Sequence, residues 1–411
     1  MKIIRNMISC LLISILIGTF LMISVYALPV DRIRSNVRSS IDYIFGDRIG
    51  GIALDITLLN AVQKKSDSVI NDAMMNPRMN YYKPQHENLA TSLDDSSSET
   101  GEIIYYSRYW HGYLVYLKPL LMLMTFEKFV MLSFFLQFVL FIAVFLKIYE
   151  KLGKLYSFAF ALIIFMLKPI ILALCHELAV VYYITLITIL IMLSRNDKLN
   201  LNGRYYYLFM FDGISVAFFD LLTYPFVAFG LPTIFYLLLN ENKSLHQKFS
   251  NIIKLALSWS FGYLGMWIGK WCVASLLTDY NTMIDGVNNV LWRLNGDYHE
   301  IIPVPPPNTW FAPTIRNIQF NKMMIIFVSM LILLSVLYLV LVKKYEWNFE
   351  LKIVLPLFFT FFYPFAWYII VNNHSFVHSW VTYRLLAISI FALCCVLIES
   401  LKPSNKTYSL T

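Results

Sequence analysis

Long apolar runs alternate with short basic connections along this chain. "MISCLLISILIGTFLMISVYA" (Met7–Ala27) and "KMMIIFVSMLILLSVLYLVLV" (Lys322–Val342) carry almost no charge. Each covers the roughly 20 residues that a helix needs to cross a bilayer. The pattern predicts about ten spans, at 7–27, 127–147, 155–175, 178–194, 206–222, 225–240, 252–272, 322–342, 351–371 and 385–400. Strands of a membrane barrel would alternate apolar and polar positions, and these runs do not. The expected fold is all-α: a polytopic helical membrane protein.

The connections set an expected orientation. "KIYEKLGK" (147–154), "SRNDKLNLNGR" (194–204), "NENKSLHQK" (240–248) and "VKKYE" (342–346) are rich in Lys and Arg, and Lys2 and Arg5 precede the first run. An even number of spans places all five on one side, which the positive-inside bias makes the cytoplasm. Both termini are then cytoplasmic, in a multi-pass protein of the cell membrane. "VYA" before Leu28 resembles a signal-peptide cleavage site, but the apolar run is long for a signal core. An uncleaved anchor is expected.

Five segments follow: an anchor helix (1–27), an extracytoplasmic loop with interface helices (28–125), a transmembrane bundle (126–272), a second extracytoplasmic loop (273–321), and C-terminal spans with a short cytoplasmic tail (322–411). In the first loop, 50–75 has helical spacing and "TSLDDSSSETGE" (91–102) reads as flexible. The aromatic, basic stretch 103–124, interrupted by Lys118 and Pro119, reads as a helix lying in the interface. In the second loop, the prolines of "IIPVPPPNTWFAP" (301–313) predict an extended strap.

Composition agrees with this layout. The 411 residues are 58% hydrophobic and 14% charged, against about 25% charged in soluble domains. The net charge of +8 follows from basic connections and implies no nucleic-acid partner. Cys10, Cys175, Cys272, Cys394 and Cys395 all fall in or beside apolar runs, so neither a disulfide framework nor a Cys metal site is expected.

Ionisable groups in or at the lip of spans are costly and mark functional sites. They cluster at the expected outer ends: His176 and Glu177, Asp220, Lys270, then His374, His378 and Arg384, with Arg108 and His111 in the loop. That common depth suits a pocket at the outer surface. Lys270 between Trp267 and Trp271 also suits an interfacial anchor, and Asp220 before Tyr224-Pro225 also suits a helix cap. The spacing of His374 and His378 puts both rings on one helical face. "HSFVH" lacks the glutamate of a zinc hydrolase helix, so the pair reads as donors to phosphate or sugar, and no metal site is assigned. Arg384 offers phosphate a planar fork. Asp55, opening a helix in "IALDITLLN", is the candidate base for an acceptor hydroxyl, with Asp47 its rival. A carboxylate there also suits a helix N-terminus.

The layout, with "GGIALDITLLN", "YSRYWHG", "FDLLTYP" and "NNHSFVHSWVTYR", resembles the GT-C class of integral membrane glycosyltransferases. The resemblance implies transfer of a sugar from a polyprenyl-phosphate carrier to a cell-envelope glycan or lipid-linked acceptor at the extracytoplasmic face. It implies Asp55 as base and Arg108, His111, His374, His378 and Arg384 as phosphate or sugar contacts. Many members pair two acids at the first-loop site, whereas Ile56 and Thr57 follow Asp55 here. A divalent cation stays open as cofactor. The alternatives are a polymerase joining lipid-linked repeat units, which a larger late loop would favour, and a transporter, which would show related half-chains.

Overall fold

The computed structural model describes residues 2–45, 56–64, 66–295 and 310–403. The expected bases Asp47 and Asp55, and all of the proline strap before residue 310, lie outside these.

The chain begins with α1 (Lys2–Tyr26). A folded segment follows, with α2 (Asp31–Arg38), α3 (Ile41–Phe45), α4 (Ile56–Ala61) and α5 (Val69–Met75). Strand β1 (Pro77–Asn80), α6 (Gln85–Leu93), β2 (Glu102–Tyr105) and α7 (Leu114–Leu123) complete it. The bundle then runs through α8 (Phe126–Leu152), α9 (Lys154–Leu167), α10 (Pro169–Leu174), α11 (Ala179–Leu199), α12 (Arg204–Phe219), α13 (Val227–Leu239) and α14 (Leu245–Leu277). Next come α15 (Thr282–Leu294), α16 (Ala312–Phe320) and α17 (Lys322–Leu337), which ends in a π turn, Tyr338–Val342. Strand β3 (Tyr345–Trp347), α18 (Leu351–Thr360), α19 (Tyr363–Ile370), α20 (Asn372–Val377), α21 (Ser379–Thr382), α22 (Leu386–Ser400) and β4 (Leu401–Pro403) close the described chain.

Seven helical stretches among the described residues are long and apolar enough to cross a membrane: Lys2–Tyr26, Phe126–Leu152, His176–Leu199, Leu245–Leu277, Lys322–Val342, Leu351–Ile370 and Ser379–Ser400. The protein is therefore a helical membrane protein, its backbone groups satisfied within helices because lipid offers no partners. The other three expected spans fall on α9, α12 and α13, which have 14, 16 and 13 residues. At 1.5 Å per residue they are about 20–24 Å long, short of the roughly 30 Å core. The third run is cut at Lys168, which adopts the left-handed conformation (φ 55) ahead of Pro169.

The two ends of the bundle differ. At one, the basic connections gather: Lys243 Nζ donates to Asn200 Oδ1 (3.1 Å), Lys248 Nζ to the Lys352 carbonyl (3.0 Å), and Tyr156 bonds Glu399. β3 and β4 pair antiparallel there. The segment after α1 covers the other end. Tyr26 donates to Asn76 Oδ1 (3.2 Å), Trp110 Nε1 to the Met266 carbonyl (2.7 Å), and the Gly112 amide to the Phe218 carbonyl (2.8 Å).

The tightest crossing joins α12 to α14. A Cβ on Gly262 would lie 2.1 Å from the Met210 carbonyl oxygen, and one on Gly213 2.3 Å from that of Trp259. Small residues let two backbones touch, which in lipid replaces the hydrophobic drive for association. Gly262→Val is expected to force the helices apart and cost about 1–3 kcal/mol or more. Thermal unfolding in detergent would show it; an unchanged midpoint would mean that the crossing carries no stability.

The loop segment departs from expectation in two places. The stretch 103–124 is not one interface helix. Glu102–Tyr105 pairs antiparallel with Pro77–Asn80, and helix begins only at Leu114. Short apolar runs fit either period, and here the β ladder wins. The fold thus adds two small sheets to an otherwise helical chain. The polar stretch 91–102 is pinned by Asp95, which meets Arg34 (2.7 Å), Arg38 (2.9 Å) and Lys64 (3.1 Å).

Candidate functional site

Where α12 ends, the chain turns sharply. Leu222 takes a left-handed conformation (φ 63), and Asp220 holds the turn by accepting from the amide and hydroxyl of Thr223. Asp220 is thus the cap of a broken helix. The turn forms one wall of a cavity of about 200 Å³. Tyr106, Glu177, Leu221, Leu222, Thr223, Arg293, His374, His378, Trp380 and Val381 line it.

Arg293, near the C-terminus of α15, supplies the cavity's positive charge. Its Nη1 lies 2.6 Å from His374 Nδ1, and its Nη2 donates to the Tyr109 hydroxyl at 3.2 Å. Both partners are uncharged, so neither cancels the guanidinium's attraction for an anion. To accept from Arg293, His374 Nδ1 must carry no proton. Burial, then the Arg293 charge, holds His374 well below the usual histidine range. The same two causes bring His378 down to about 4. The two rings stand 4.7 Å apart, as their spacing predicts. Both are neutral hydrogen-bonding groups at neutral pH rather than extra cations.

The remaining expected residues sit around this cavity. His111 packs behind Tyr106, with ring centroids 5.2 Å apart, and bonds the Tyr113 hydroxyl (2.8 Å) and the Tyr106 carbonyl (3.0 Å). Burial lowers it to about 3. Arg108 lies over the Tyr106 ring (4.7 Å) and pairs with Asp285 at 3.4 Å. Lys270 is fully buried and donates to the carbonyls of Ala73 (3.3 Å) and Met74 (2.9 Å), tying the loop segment to α14. Arg384 is 1% exposed and donates to the carbonyls of Leu167, Trp380 and Val381. Its fork serves backbone freed where helices break. His374 and His378 therefore line the cavity, Asp220 shapes it, Arg108 and His111 buttress Tyr106, and Lys270 and Arg384 brace backbone. Asp55 lies outside the described residues.

Arg293 and Glu177 complete the cavity. Glu177 is visible in the sequence as an acid at a span's lip. Arg293 carries a weaker signal, one cation closing the amphipathic stretch "TMIDGVNNVLWRL". Among the described residues no three His, Cys, Asp or Glu side chains gather as a metal set would. The five cysteines are free thiols.

A second, apolar cavity has a volume of about 300 Å³. Leu120, Phe129, Leu132, Leu136, Val180 and Phe219 line it, and His176 with Tyr116 stands at its polar corner, 2.7 Å apart. His176 on its wall directly precedes Glu177 on the first, and Phe219 is two residues from Leu221, so the same two chain turns line both cavities. Leu136 and Ile187 are exposed along its rim, where lipid would lie.

The lowered histidines make stability depend on pH. Their folded pKa values lie below 6.5, so between that value and about 4 the unfolded chain binds protons that the folded chain does not. Stability should be fully present above pH 6.5 and fall as pH drops through this window. Melting midpoints from pH 7.5 to 4.5 would show the slope, and His378→Gln should flatten it. A slope unaltered in that variant would remove His378 as a cause.

No family model matches this chain, and no curated protein or solved structure matches it.

Proposed function

We propose that this protein moves a sugar from a polyprenyl-phosphate carrier to a glycan or lipid-linked acceptor, with the cavity facing the extracytoplasmic side. One observation carries the reading: the turns that line the cavity holding Arg293 and two neutral imidazoles also line an apolar groove with exposed apolar residues on its rim. Such a pair suits a molecule with a charged head and a long hydrocarbon tail. Ten spans and cytoplasmic termini belong to the same proposal, supported by the basic connections at the opposite end.

In the reaction an acceptor hydroxyl attacks the anomeric carbon of the donor sugar. The bond from that carbon to the phosphate oxygen breaks, and the carrier phosphate departs with the electron pair. Arg293 offsets the charge that grows on that oxygen, and His374 and His378 are placed to bond it. A carboxylate takes the hydroxyl proton, Asp55 by the sequence reading, with Glu177 on the described wall as the alternative.

Deleting the gene and weighing envelope glycans by mass spectrometry tests the proposal, together with transfer by the purified protein from polyprenyl-phosphate sugars in liposomes. A glycan lacking one sugar, and transfer that depends on the carrier, is the expected result. Unaltered glycans with no transfer would overturn it. Full repeat units in shortened chains would point to a polymerase.

A further inference from the structure

The loop segment holds a third cavity, of about 400 Å³, which shares no wall residue with the other two. It lies between α2, the α4–α5 connection, the loop after α6 and the β1–β2 hairpin. Its charges are largely spent. Arg34 and Lys64 both engage Asp95, at 2.7 and 3.1 Å, and with Asp72 and Asp94 the wall holds three carboxylates against two cations, so an anionic ligand meets no excess positive charge. What remains is neutral or acidic. Asp72 is 2% exposed, and its carboxylate accepts from the Ser66 amide (2.8 Å) and hydroxyl (2.7 Å), leaving lone pairs unused. The buried Ser92 hydroxyl oxygen has no hydrogen-bond partner among the described residues. Tyr81 and Tyr105 add aromatic faces. Acceptors and amides beside apolar rings fit a molecule with many hydroxyls and no charge.

Strand β2 places this cavity. Tyr105 lines it, and the next residue, Tyr106, lines the Arg293 cavity. The chain leaves β2 at Tyr105 and enters the wall of the Arg293 cavity at the next residue, so adjacent residues line the two cavities.

We infer that the third cavity binds a neutral oligosaccharide, the growing end of the acceptor glycan. This rests on the proposed transfer for the word acceptor, but the binding itself does not. The probe is an array of short neutral oligosaccharides, presented to full-length protein in nanodiscs. At least one should bind, and a Tyr81→Ala, Tyr105→Ala double variant with an unchanged melting midpoint should weaken it about tenfold or more, the loss of roughly one good contact. Asp94→Asn, on the exposed rim, gives a second reading of the same cavity should the double variant fail to fold. Arg293→Ala should bind the array as wild type does. In transfer assays the cavity variants should raise the KM for acceptor and leave that for donor unchanged. No binding by any oligosaccharide, or binding that both cavity variants leave intact, overturns the inference and leaves the transferase reading untouched. Binding lost in the cavity variants, with no transfer from any carrier, supports the inference and removes the transferase.

Discussion

Arg293→Ala is expected to slow sugar transfer by about 10²–10³, the usual loss when one charge-stabilising donor leaves an enclosed site. The figure follows from the position of the guanidinium. Its described hydrogen bonds go to an imidazole and a phenol, so neither of these partners offsets its charge when the phosphate departs. Arg293→Lys should recover little, because an ammonium is a point charge that cannot reach His374 and Tyr109 together in the planar geometry. The measurement is single-turnover transfer from a polyprenyl-phosphate sugar, with donor binding followed separately. Near-normal turnover in Arg293→Ala would remove the residue from the reaction and leave it a brace for His374.

Asp55→Asn carries the other large effect. A positioned base contributes roughly 10²–10⁴ in rate, and an amide cannot take the proton. Expression and melting should be unchanged. Glu177→Gln is the paired measurement, since Glu177 is the carboxylate that lines the described cavity. Loss in Asp55→Asn with near-normal rate in Glu177→Gln assigns the proton to the loop acid. The reverse moves the base to the membrane lip. Substantial activity in both variants would mean that neither takes it.

The spans were legible because lipid imposes a simple rule: an apolar run of sufficient length becomes a helix, whatever its neighbours do. Each expected run falls on helix, although Lys168-Pro169 and short lengths make some incomplete. The histidine pair was legible for a similar local reason, since a separation of four residues fixes a shared face. The arginines were not. Whether Arg384 or Arg293 faces the cavity depends on where helices break. The backbone near Leu167 and Trp380 leaves carbonyls without helical partners, and these capture Arg384. No local pattern foretells that capture. Residues 103–113 failed for another reason. Their strand exists only because Pro77–Asn80, far back in the chain, lies alongside.

Only 6% of the apolar stretch of helix Lys322–Val342 is buried against the rest of the described chain, so lipid would surround it. Its 21 residues measure about 32 Å, close to the thickness of the hydrocarbon layer. Just before it, Asn317 clasps the Ser375 carbonyl (2.8 Å) and receives the Thr382 hydroxyl (2.8 Å). The helix is thus a float moored to the histidine-bearing turn. In thinner bilayers a helix of this length is accommodated by tilting, kinking or local thickening of the lipid, and its N-terminal approach is the part tied, through Asn317, to the residue next to His374.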